Sequence, residues 1–378
     1  MNITVQPNRI CVRCVLDTTV PDIVFDENGV CNYCHKYDDR ARREHYAGKD
    51  GARRLQVLVR EIKRVGKNKE YDCIIGVSGG VDSTYVAMLT KDLGLRPLAV
   101  HLDNGWDAEL AVSNIERVLK RMQIDLHTYV LDWEEFKDLQ MAFLLSSIAN
   151  AEIPTDQAIT ALLFKEAARR GIRHIISGTN IVTEAVLPES WMYSSMDLKL
   201  LRSIHHKFGK RGLGNYPLLS MFEMAYYVFV KRLNFIPILD YVHYNKEAAK
   251  QLLEEKLGWR DYGGKHHESI YTRFFQGYIL PKKFNIDKRK AHLSTVILSG
   301  QITRQEALEE LQREHYPVET QMQDKDYVIK KLGLTSQEFD SIMNAPARSY
   351  SDYPNSARLW VSLKKFVRYA RNKAMRVA

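Results

Sequence analysis

Residues Tyr71–Asp92 read YDCIIGVSGGVDSTYVAMLTKD, and the fold turns on them. Cys73–Val77 is a short apolar run of the kind that forms a buried strand, and it breaks at Ser78-Gly79-Gly80-Val81-Asp82-Ser83. From Thr84 to Leu93 the apolar residues recur at helical spacing. A strand, a glycine turn and a helix in that order make an anion cradle. Gly79 and Gly80 let the backbone approach a phosphate closely, while Ser78 and Ser83 add hydroxyl donors. The new helix points its unpaired N–H groups and positive dipole end at the same spot. Asp82 repels a phosphate, so its work is to hold Mg²⁺ or to tie the loop. The Gly-Lys-Ser/Thr ending of a Walker A loop is absent.

SGGVDS in this setting resembles the PP-loop of the N-type ATP pyrophosphatases, which include GMP synthetase, asparagine synthetase and the tRNA lysidine and thiolation enzymes. The resemblance implies that a substrate oxygen attacks the α-phosphate of ATP and pyrophosphate leaves. A nucleophile then displaces AMP. Ser78, Gly79, Gly80, Val81, Asp82 and Ser83 would line the nucleotide site.

Beyond the loop, apolar runs alternate with helical patterns. Strands are expected at Arg96–Leu102, Leu126–Leu131, Arg173–Ile176 and Phe235–Leu239, with helices at Ala108–Met122, Glu134–Ala149, Gln157–Arg170 and Asn245–Leu257. Such alternation predicts an α/β fold, a doubly wound parallel sheet with helices on both faces. Ligands on these sheets sit at the carboxyl ends of the strands, which gathers Ser78–Ser83, His101–Trp106 and Ser177–Asn180 around one crevice. Asp103 and Asn104 either end a strand or touch ribose or adenine. Gly178 and Asn180 suit the phosphate side. Asp156, in Pro154-Thr155-Asp156-Gln157, either caps a helix or faces substrate and Mg²⁺. Tyr216–Leu233 reads as one hydrophobic helix, and Ala185–Arg211 as an irregular, substrate-facing insertion.

The N-terminal fifty residues read as a separate unit. Cys11-x-x-Cys14 and Cys31-x-x-Cys34 stand sixteen residues apart, the spacing of a four-cysteine zinc site. Two such knuckles supply four thiolates to a tetrahedral Zn²⁺ and leave no position for water, so the metal's role is structural. Lys36–Gly66 connects this unit to the catalytic domain. The domain boundaries expected are therefore 1–50, 51–260 and a helical C-terminal region, 261–378.

The chain holds five cysteines, and none lies between Ile74 and Ala378. Sulfur transfer and a built-in glutaminase both need an active-site cysteine, so both are disfavoured. If ammonia is the nucleophile, another chain makes it. The net charge of +9 is concentrated after Pro346, where eight basic residues face the single acid Asp352. That tail suits nucleic acid, an anionic surface or an acidic partner; its apolar spacing over Ala357–Met375 favours an amphipathic helix packed on the body. No signal-like or membrane-spanning stretch is evident, and a cytoplasmic location is expected.

The order CxxC…CxxC, SGGVDS, HLDNGW, PTDQAI, SGTN, GGKHHESIYTRFFQ and PKKFNIDKRKAHLS resembles the N-acetyl sugar amidotransferases of bacterial surface-polysaccharide synthesis. This resemblance implies ATP-dependent conversion of an acetamido group on a UDP-linked diacetamido uronic acid to an acetamidino group, in lipopolysaccharide O-antigen formation. It implies ATP and Mg²⁺ as cofactors and Asp82 and Asp156 at the chemistry. Lys283, Lys288 and Arg289, in the dense cationic segment, would offset developing charge or grip the sugar nucleotide. The implied partners are a glutaminase subunit similar to that of histidine biosynthesis and a cyclase-like companion. The alternatives are a lysidine-synthetase-like tRNA-modifying enzyme, disfavoured as a nucleic-acid binder, and a nucleotide-binding scaffold.

Overall fold

The computed structural model describes residues 9–46 and 48–357; the basic tail expected to form a helix lies outside them. Five strands, β1 (Cys73–Gly76), β2 (Pro97–Asp103), β3 (Asp125–Val130), β4 (His174–Ser177) and β5 (Asn234–Pro237), form one sheet in the order β3-β2-β1-β4-β5. All four pairings are parallel. The fold is the doubly wound α/β sheet expected.

Period-two alternation sorts the strand residues between two cores. Ile74, Leu98, Val100 and Ile175 pack against Ala161, Leu162, Phe164 and Ala167 of the helix Ile153–Arg169. Cys73, Ile75, Ala99 and Ile176 face the opposite way. They meet Val86, Ala87 and Met88 of the helix Val81–Asp92, together with Ile115 and Val118 of the helix Glu109–Met122. The chain steps outward from β1 to β3 and then returns to place β4 on the other side of β1. The order therefore reverses between the ends of β1 and β4, and the ligand crevice opens there.

The cysteine segment does not stand apart from the rest. Cys11, Cys14, Cys31, Cys34, Leu16 and Val20 belong to one core cluster with Phe136, Phe143, Tyr271, Phe274, Val328 and Phe339. Arg304 donates to the carbonyls of Cys11 and Cys14, and Lys290 pairs with Asp17 at 2.6 Å.

Two local expectations are corrected. Tyr216–Leu233 is not one helix: a turn capped by Ser220 (Met221–Ala225) widens into a π-helical turn (Tyr226–Val230), with Phe222 and Phe229 exposed. Ala185–Arg211 is not irregular throughout, because Asp197 caps a helix at Leu198–Phe208 by accepting from the Lys199 and Leu200 N–H groups.

Candidate active site

The loop after β1 is held open by its own backbone. Ser83 Oγ accepts from Ser78 N at 3.3 Å and donates to Gly80 O at 3.1 Å, while Ser78 Oγ accepts from Gly80 N at 3.3 Å. Gly79 adopts φ +79°, and a Cβ there would lie 2.6 Å from Ala111 O. Only glycine fits such a position without strain. Gly80 is the N-cap of the helix Val81–Asp92 and offers no side chain to the first turn, so that end is left for an anion.

β4 ends against the same point. A Cβ on Gly178 would lie 3.1 Å from Asp82 C and 3.2 Å from Ser83 N. Asn180 donates to Gly178 O at 3.0 Å and accepts from Thr183 N at 2.9 Å, capping the short helix Ile181–Glu184. That cap brings Glu184 to the loop. Sequence reasoning passed over Glu184 because nothing in its local pattern marks it.

Around Asp82 stands a ring of charged groups drawn from distant segments. Tyr244 donates a hydrogen bond to Asp82. Burial, helped by the facing Glu184 carboxylate, holds Asp82 above the usual carboxylate range, although Lys246, Tyr244 and Lys265 oppose this. Glu184 pairs with Lys265 at 3.2 Å. Burial works against its ionised form, but Lys265, His266 and Lys246 outweigh burial and hold it below the usual range. Glu268 sits 3.7 Å from His266, and its Oε2 is buried with no hydrogen-bond partner. Its Oε1 would lie 3.6 Å from a Cβ on Gly80. Burial pushes Lys246 down, and burial with Lys265 and Lys246 nearby pushes His292 well down. His292 Nδ1 donates to Thr183 O at 3.0 Å.

The late segment is stitched to the crevice. Ala108 N donates to Glu268 O at 2.8 Å, and Ile270 N to Trp106 O at 2.9 Å. Asp103 ends its strand as a turn residue, its Oδ1 accepting from Gly105 N at 2.8 Å. Asp156 is not among the groups acting on Asp82; its neighbours are Glu152 and Lys288.

Two of the expected cations face elsewhere. Lys283 donates to Ser147 Oγ at 2.7 Å and to Ile342 O. Arg289 grips Asp287 and donates to Arg313 O at 2.8 Å, bracing a helix start. Both are structural ties, because a lysine or arginine with its N–H groups already committed has few left for substrate.

The four cysteines form a second site. Their sulfurs all lie within 4.8 Å of one another, and the Cys11–Cys34, Cys14–Cys31 and Cys31–Cys34 separations are 3.8, 3.7 and 3.7 Å. A tetrahedron with Zn–S bonds of about 2.3 Å requires separations of about 3.8 Å. His35 turns away to Asp26 at 2.9 Å.

Residues 53–184 match the NAD synthase family model, and residues 268–367 match that of the LPS biosynthesis protein WbpG-like, C-terminal domain. The chain thus carries an NAD synthase-like segment followed by a WbpG-like C-terminal domain. An uncharacterized protein, MJ1599, of Methanocaldococcus jannaschii is 24% identical over 274 residues, covering 70% of this chain and 80% of that one. Among solved structures, NMN synthetase from Francisella tularensis is 16% identical with TM-score 0.36, covering 71% of this chain and 94% of that one. The NH3-dependent NAD synthetase of Campylobacter jejuni is 15% identical with TM-score 0.33, covering 70% and 97%. The NAD synthase-like segment, an ATP-using fold, ends at Glu184, and the WbpG-like domain begins at Glu268. No helix among the described residues is long and apolar enough to cross a membrane.

Proposed function

We propose that this chain is a cytoplasmic, ATP-dependent amidotransferase of O-antigen synthesis. It converts an acetamido group of a UDP-linked diacetamido uronic acid to an acetamidino group. One observation carries the reading: Glu268, the first residue of the WbpG-like domain, meets Gly80 of the PP-loop, so the ATP loop and the polysaccharide-linked domain share one cleft.

The chemistry follows from the amide. Its oxygen leaves poorly until activated, and its attack on the α-phosphate makes an O-adenylyl imidate as pyrophosphate departs. Ser78, Gly79, Gly80 and Ser83, with the open helix end, hold the β,γ-phosphates. Lys246 and Lys265, whose charges act on Asp82 beside the loop, would offset the charge that develops on the leaving pyrophosphate. Asp82 and Glu184 would hold Mg²⁺, because two carboxylates beside the phosphate cradle, the charge of one acting on the other, supply the hard oxygen ligands it takes. Bound there, Mg²⁺ would neutralise phosphate charge. Ammonia then adds to the imidate carbon and AMP leaves. The four cysteines hold a structural Zn²⁺. Ammonia comes from a separate glutaminase subunit, with a cyclase-like companion, since the chain has no cysteine beyond Cys73.

The test incubates the protein with ATP, Mg²⁺, ammonium and a UDP-diacetamido uronate. The expected product is lighter by about 1 Da, NH for O, with AMP and pyrophosphate released. Release of ADP, or an unchanged sugar, would refute the reading.

A further inference from the structure

The segment before β5, expected to be a core helix, turns an apolar stripe outward instead. Phe222, Tyr226, Phe229 and Val230 stand at i, i+4, i+7 and i+8, the spacing of one helical face. Phe222 is 82% exposed, Phe229 74% and Val230 64%. On the other side Met224 and Tyr227 pack on the sheet core, where the Tyr227 ring lies 6.4 Å from that of Phe164. The segment is anchored at both ends: Ser220 caps its start, and Leu233 N donates to Tyr227 O at 2.9 Å. Scattered exposed apolar residues need no explanation, but a stripe of them on an anchored segment marks a surface that meets an apolar partner.

The charges bordering the stripe point to the partner. Lys231 and Arg232 follow it directly, both exposed, and Lys231 Nζ lies 5.7 Å from the Tyr226 ring centre. Arg173 is exposed on the adjoining strand end, where Asn234 N donates to its carbonyl at 2.7 Å. The acid within the stripe segment, Glu223, is engaged in the cap, its Oε2 accepting from Ser220 N at 2.8 Å. The sequence after the described residues adds charge of the same sign: residues 358–378 hold seven basic residues and no acid. They continue from Ala357, next to Ser356, whose N–H donates to Asp197 Oδ2 at 2.6 Å. Met196, beside Asp197, packs on the same core cluster as Met224 and Tyr227.

We propose that this face docks on an anionic lipid surface. The aromatic and aliphatic stripe enters the headgroup boundary, while Lys231, Arg232 and the basic tail meet the negative charge there. Such binding grows with the apolar area inserted and with the attraction of the cations to the headgroups, so the two parts reinforce each other. A second copy of the chain would bring a border of the same sign against this one, and the chain's own tail would do the same.

Lys231 and Arg232 lie at the amino end of β5, whereas the phosphate loop lies at the carboxyl ends of the parallel strands. A lipid surface at the amino end leaves the crevice facing water, open to a dissolved substrate. The docking therefore does not depend on the reaction proposed above.

The test sediments the full chain with vesicles of phosphatidylcholine, either alone or with about one-third phosphatidylglycerol. The wild type is expected on the anionic vesicles and not on the neutral ones, and the bound fraction should fall as sodium chloride is added. Phe222→Ser with Phe229→Ser should lower the partition constant roughly tenfold or more, and Lys231→Gln with Arg232→Asn severalfold. All four residues are exposed, and asparagine accepts the left-handed φ of +59° at Arg232, so both double variants should melt as the wild type does. Absence of binding to the anionic vesicles, or equal binding to both kinds, overturns the proposal. Full retention by Phe222→Ser with Phe229→Ser assigns the binding to the tail and also overturns it. So does a wild-type dimer, seen without lipid by sedimentation velocity, that the phenylalanine pair converts to a monomer, because the stripe then belongs to a second copy.

Discussion

Gly178→Ala tests whether the end of β4 props the phosphate loop. The new Cβ would lie 3.1 Å from Asp82 C, 3.2 Å from Asp82 O and 3.2 Å from Ser83 N. All three are backbone atoms of the first helical turn, so no side chain can swing aside to relieve the contact. Overpacking of this kind costs about 1–3 kcal/mol. Relief moves that turn, and with it the N–H groups that meet the phosphates. A displacement of about 1 Å is enough for roughly a 100-fold loss of rate, so turnover should fall ~10–100-fold with a lowered melting midpoint. The assay is AMP and pyrophosphate release under saturating ATP, with thermal unfolding alongside. Gly212→Ala is the control, because a Cβ there meets nothing within 4 Å. Wild-type rate and melting in Gly178→Ala, or equal losses in both variants, would refute the reasoning.

Lys283→Ala should lower the melting midpoint, by roughly 1–3 kcal/mol of stability, because Ser147 and Ile342 lose their buried partner, while KM and kcat stay near wild type. A large kcat loss at unchanged stability would return Lys283 to the chemistry. Elemental analysis should find one zinc per chain, and Cys14→Ser should lose it and unfold the C-terminal helices too, since both share one core; intact melting without zinc contradicts this. The Asp156 carboxyl at about 7, against about 4 when unfolded, binds more protons in the folded state across that window. Its burden on stability is therefore absent below about pH 4 and grows as pH rises to 7. Asp156→Asn should melt higher than wild type at pH 8, by roughly 1–2 kcal/mol after allowance for solvent access, and the gain should vanish near pH 4.

What could be read along the chain was local. SGGVDS carries its own explanation, because a glycine pair, two hydroxyls and a following helix act within six residues. The cysteine pairs were likewise legible, since ligand spacing is a property of the chain. The partners of Lys283 and Arg289 were not legible for the same reason: a run of cations looks the same whether its N–H groups are free or bonded to Ser147 and Arg313. The hydrophobic stretch Tyr216–Leu233 promised a core helix, but no periodicity reveals that Phe222 and Phe229 point to solvent.

The amino-acid order by itself determined the strand–turn–helix cradle, the parallel α/β sheet and the four-thiolate site, each set by residues near one another along the chain. Only the tertiary structure decided that Glu184, Tyr244, Lys246 and Lys265 converge on Asp82, that Glu268 meets Gly80, and that Lys288 meets Glu152. The physical reason is that burial and Coulomb interaction depend on separation in space, and the sheet's reversal beside β1 brings together groups that lie far apart in sequence.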